Sequence, residues 1–121
     1  MNDSTTFISA LKDNNLNELR KIPKADLHNH FVLGGDRAYI KQKTGFDILP
    51  ITTPLHSMDE MHAWSSVNIG KRFESREMRQ LLIDASFEQA KLDGVSVLEI
   101  GEDVWALGTF FNHDIDALID A

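Results

Sequence analysis

Two histidines one residue apart, His28 and His30, close the stretch Ile22-Pro23-Lys24-Ala25-Asp26-Leu27-His28-Asn29-His30. In a β-strand that spacing can do metal chemistry. Alternate side chains of a strand share a face, so the two imidazoles would project together, with Cα atoms about 6.6 Å apart at about 3.3 Å per residue. On a helix the same spacing would turn them about 200° apart. Neutral imidazole is a ligand for zinc and its first-row neighbours, so the pattern is half of a metal site if the segment is extended. A His-x-His pair alone is common by chance, and the surroundings have to decide. Pro23 can open a strand but not sit in the middle of one. Ala25, Leu27 and Asn29 are predicted on one face, and Asp26, His28 and His30 on the other. Phe31-Val32-Leu33 then runs into Gly34-Gly35, a break that lets backbone approach a site closely. A polar inward face ending at a glycine-rich loop is how barrel enzymes mount ligands at strand C-termini.

The elements that must hold this strand read simply. Phe7, Ile8, Leu11, Leu16 and Leu19 predict a short helix or two turns, broken at Asp13-Asn14-Asn15. Strand one covers residues 25–31. A helix over residues 36–44 is capped by Asp36 and ended by Gly45. A proline-bearing loop follows, and then a helix over residues 58–68, with Ser57 as cap and Glu60 at the capping-box position. The longest helix, residues 75–92, places Met78, Leu81, Leu82, Ala85, Phe87 and Ala90 at roughly helical spacing. Asp93-Gly94 ends it, residues 95–100 form strand two, and residues 114–121 begin another helix. Strand, helix, strand, helix is the α/β order, with a right-handed crossover between parallel neighbours. A doubly wound sheet is less favoured, since no Gly-x-Gly-x-x-Gly turn follows the first strand.

Pro23-Lys24-Ala25-Asp26-Leu27-His28-Asn29-His30 resembles the opening strand of adenosine deaminases, whose pattern reads Pro-Lys-x-Glu-Leu-His-x-His. The likeness continues in sequence order. Lys43-Thr44-Gly45-Phe46-Asp47-Ile48-Leu49-Pro50 looks like the family's segment after its first barrel helix. Ser57-Met58-Asp59-Glu60-Met61-His62-Ala63-Trp64 looks like the helix that partly covers its substrate pocket. Ala90-Lys91-Leu92-Asp93-Gly94-Val95-Ser96-Val97-Leu98-Glu99 looks like the end of its long helix and its second strand. Coverage is roughly residues 20 to 105. The resemblance implies a member of the metal-dependent amidohydrolases, an α/β fold in which this chain would be the N-terminal segment of an incomplete (β/α)8 TIM barrel. Residues 1–121 would then be one part of a single hydrolase domain.

The chemistry so implied is hydrolytic deamination of adenosine or a related purine by metal-bound water. Zinc would be held by His28 and His30, with further ligands and the proton carriers outside the quoted motifs. No catalytic acid or base is assigned in this segment. Met61 and His62 become candidate substrate-binding lid positions, while His56 and His113 read as loop or surface residues. Val32 stands where the family carries an Asp that contacts the nucleoside sugar, and valine has no acceptor. The substrate is therefore either a purine nucleoside, another adenine compound, or a non-nucleoside molecule. Strand two runs into Gly101-Glu102-Asp103 where the family usually has an Arg-containing segment; Glu99 and Glu102 read as strand-end charges.

Length and composition bound these readings. A barrel of this kind needs about 250 residues, and the chain has 121. It is expected to be one piece of a longer enzyme, inactive alone and prone to self-association through open strand edges. A non-catalytic truncated module is the alternative. The net charge of −7 disfavours a nucleic-acid surface. Lys71-Arg72 and the Arg76/Arg79 pair read as solvated helix faces rather than phosphate sites. No apolar run is long enough to span a membrane, and Met1-Asn2-Asp3-Ser4-Thr5-Thr6 is no signal peptide. The absence of cysteine excludes disulfides, suits a reducing cytoplasm, and excludes the Pro-Cys-x-x-Cys zinc deaminase design within this chain.

Overall fold

Helix starts along this chain are written in short polar side chains. In the computed structural model, which describes residues 2–101 and 104–120, Asn2 caps α1 (Asp3–Lys12) and Asn15 caps α2 (Leu16–Lys21). Asp36 caps α4 (Arg37–Thr44), Ser57 caps α5 (Met58–Asn68), Ser75 caps α6 (Arg76–Leu92) and Asp114 caps α8 (Ile115–Ile119). Each side-chain oxygen accepts a first-turn N–H that would otherwise lack a partner. At α5 the capping box is shifted by one residue. Glu60 Oε2 accepts from the backbone N–H of His56 at 2.7 Å rather than from Ser57. Helix ends are equally local: Gly45 and Gly94 take φ of 73° and 71°, which glycine adopts without penalty.

Strands β1 (Lys24–Asn29) and β2 (Val95–Ile100) pair in parallel as a two-stranded sheet. Helix α6 packs along β2 and against α3 (Phe31–Gly34) and α4. The core lies beside the sheet, where Phe31, Ile40, Ile48, Ile69, Phe73, Leu82 and Ala85 are buried together and Ile100 joins from β2. The other sheet face is open: Leu27 is 59% and Val97 54% exposed.

The TIM-barrel expectation does not hold. Among the described residues there is one sheet of two strands, and two strands cannot supply the tilt and stagger that close a barrel. The chain is a helix-rich α/β unit. Two local differences accompany this. β1 stops at Asn29 and the chain turns at once into α3, where residues to 31 were expected to stay extended. Helix α7 (Val104–Phe111) was not expected, because its run of apolar residues carries no polar stripe to mark it.

Lys24 ties the sheet to two helix ends. Its Nζ donates to the carbonyl oxygens of Leu19 and Asp93, placing a cation at the negative ends of α2 and α6. The helix stripe of α6 also differs from expectation. Arg79, Leu82, Ala85 and Ser86 are its buried residues, while Phe87 is 57% exposed. Ser86 Oγ lies 3.1 Å from Leu82 O and 3.3 Å from Phe31 O and shares its proton between them. Ser86→Ala is expected to cost about 1 kcal/mol, read as a lower urea midpoint at unchanged slope.

At the start of α6, Glu77 carries a carboxyl held below its ordinary value, first by its own backbone N–H, then by the Ser75 hydroxyl and the Arg76 charge. A lowered carboxylate stabilises the helix start above its unfolded value and loses that contribution as pH falls through the folded one. Amide exchange in the first turn of α6 should therefore speed up on acidification in the wild type relative to Glu77→Gln.

Candidate functional site

The parallel register is interrupted twice, between Lys24 and Ala25, where β2 carries the extra residue, and again at His28. Asp26 pairs with Leu98 and Asn29 with Ile100, so Leu27 and His28 together stand opposite Glu99. This is a β-bulge, an extra residue that bends a strand and re-aims its side chains. Polar groups of the same segment hold it. Asp26 Oδ1 accepts the His28 N–H at 3.4 Å and Oδ2 accepts Asn29 Nδ2 at 2.8 Å. Asn29 O accepts the Gly101 N–H at 2.9 Å, joining the ends of β1 and β2.

His28 and His30 converge. Their Nε2 atoms lie 3.0 Å apart, with ring centroids 4.8 Å apart and planes at 60°. The contact needs one ring nitrogen to donate and the other to accept. A divalent ion in place of the shared proton requires nitrogens about 3.3–3.4 Å apart, for Zn–N bonds of about 2.0–2.1 Å in tetrahedral geometry. The observed separation is a few tenths of an ångström short of that, and both residues are exposed. Two imidazoles therefore fit half of a zinc site. Among the described residues no group of three His, Cys, Asp or Glu side chains could hold a metal ion.

The turn after His30 is held by α6. Phe31 is 1% exposed, and the Asp36 N–H donates to Ala85 O at 2.9 Å. A Cβ on Gly35 would meet the Ala85 methyl, and one on Gly34 would collide with the Asn29 side-chain oxygen. Gly35 thus lets the turn pack closely on α6, and Gly34 leaves room for the Asn29 side chain.

A cavity of about 610 Å³ opens beside His30, lined also by Phe31, Val32, Met61, His62 and Arg79. Its walls bring Met61 and His62 of α5, the candidate substrate-binding positions, to the same space as His30; His28 is not part of the lining. Arg79 departs from the expected solvated helix face. It is 3% exposed, with its guanidinium carbon 5.1 Å from the Phe31 ring centroid and 4.8 Å from that of Phe110. The spacing of Arg79 with Leu82 and Ser86 on one helical stripe was the signal that could have placed it inward. Arg76, one turn earlier, stays exposed and donates to Ala117 O.

The remaining candidates lie apart. His56 precedes α5 and is exposed, Glu99 is exposed on β2, and His113 sits in the turn between α7 and α8 with its ring against Gly108. Glu102 lies outside the described residues. No described helix is long and apolar enough to cross a membrane. Comparison with protein-family models, curated proteins and solved structures yields no match to this chain.

Proposed function

We propose that this chain carries two ligands of a metal-dependent aminohydrolase centre that deaminates adenosine or a related purine. The observation that carries the reading is the 3.0 Å approach of the His28 and His30 Nε2 atoms at the C-terminal end of a parallel strand, beside a cavity of about 610 Å³. The ordered resemblance over residues 20 to 105 supports it. A divalent ion bound there, zinc by ligand type, would lower the pKa of a coordinated water to near neutrality. The chain's own residues would bind and orient: His28 and His30 through Nε2, Met61 and His62 along the cavity wall, and Phe31 as the buried pivot behind His30. Catalytic zinc usually has three protein ligands, so the 121-residue chain alone should have no turnover. We place it in the cytoplasm on its cysteine-free composition.

Val32 favours a second reading, an amidohydrolase acting on a non-nucleoside amine. It is half-buried on the cavity wall and can accept no hydroxyl hydrogen bond. Calorimetric binding of adenosine against a simple aryl amine to the chain with added zinc separates these ideas, and ammonia release from the same compounds tests turnover. No release from the isolated chain is expected. Ordinary enzymatic turnover of adenosine by a monomeric sample would overturn the statement that two ligands do not suffice.

A further inference from the structure

Resting on the two-histidine metal reading, we infer that Asp26 is the positioning residue of the site: its carboxylate, bridging the His28 N–H and the Asn29 side-chain amide, holds the bulge that aims both imidazoles at one point. Three observations meet here. The register places one extra residue between Asp26 and Asn29, so the backbone at His28 departs from regular pairing. The two oxygens of one carboxylate take one group inside that departure and one just after it, His28 N at 3.4 Å and Asn29 Nδ2 at 2.8 Å. The other amide atom of Asn29, its side-chain oxygen, is buried without a hydrogen-bond partner and lies where a Cβ on Gly34 would stand. Asp26 and Asn29 thus form a brace across His28, and the absence of a side chain on Gly34 leaves room for the Asn29 amide in the turn after His30. In a regular strand His28 and Asn29 would point to opposite faces and nothing local would fix the angle between the two histidines. The brace supplies that angle, at the cost of keeping Asp26 away from the metal position. Although Asp26 was expected to share a face with His28 and His30, its side chain serves the backbone instead. Partners that orient metal ligands typically affect affinity by about 10–100-fold.

The test compares wild type with Asp26→Ala and Asp26→Asn in two measurements. In metal-free protein, ring-proton NOEs between His28 and His30 report their approach. In titrations with Co(II) alone, the visible ligand-field absorption and its midpoint report the site. The expected result is that Asp26→Ala weakens the NOEs and raises the Co(II) midpoint at least tenfold, with far-UV circular dichroism unchanged. Asp26→Asn, which can still accept from His28 N and pair with an inverted Asn29 amide, should restore both. Should Asp26→Ala not fold, Asp26→Ser, whose single hydroxyl cannot serve both groups, is read in the same way. Unchanged NOEs in folded Asp26→Ala or Asp26→Ser overturn the positioning role. NOEs lost in the variant with no Co(II) absorption in wild type would sustain the positioning role and remove the metal reading.

Discussion

Zinc added to the wild-type chain should bind at a single position, and the His28→Ala/His30→Ala variant should lose that binding. The geometry sets the expectation. The Nε2 atoms stand 3.0 Å apart, a few tenths of an ångström short of the separation across a tetrahedral zinc. Both residues are exposed, and the double variant should remain folded. With two protein ligands the affinity should be well below that of a complete catalytic centre. Metal analysis after dialysis at equal free zinc, with circular dichroism on both proteins, is the check. Equal zinc content in the two folded proteins would take these histidines out of the site.

The largest stability effect is expected at Gly94. Gly94 and Gly45 share nearly the same left-handed conformation, with φ of 71° and 73°, so alanine should meet about 1 kcal/mol of backbone strain at either. Their surroundings differ. A Cβ at Gly45 meets nothing, whereas one at Gly94 would overlap the carbonyl oxygen of Arg20. That oxygen is backbone near the end of α2, and it cannot move away without disturbing the Lys24 bonds to Leu19 and Asp93. Gly94→Ala should therefore cost about 3 kcal/mol or more, the range of strained or overpacked sites, and Gly45→Ala about 1 kcal/mol. Urea unfolding of the two variants beside wild type measures the difference. Equal losses would mean that the end of α2 is not seated on the Asp93-Gly94 turn.

Local chemistry was legible in the amino-acid order. Ser57, Ser75, Asp36 and Asp114 announce helix starts because a short polar side chain answers an N–H only two or three residues away. Gly45 and Gly94 announce helix ends because few other residues enter positive φ. The parallel partnership of the segments at Lys24 and Val95 followed from the apolar run at Val95 and a helix between two strands. The spacing of His28 and His30 named the candidate ligands before any geometry was known. What it could not supply was the interruption between Asp26 and Asn29, since a bulge depends on register with a partner strand some seventy residues away. Nor did it place Arg79 inside. Charge argued for solvent, and only the packing of α6 against Phe31 and Phe110 makes burial affordable. The barrel expectation failed for the same reason: strand closure is a property of the whole sheet, and the two strands described here form a sheet with one face covered by α6 and the other open at Leu27 and Val97.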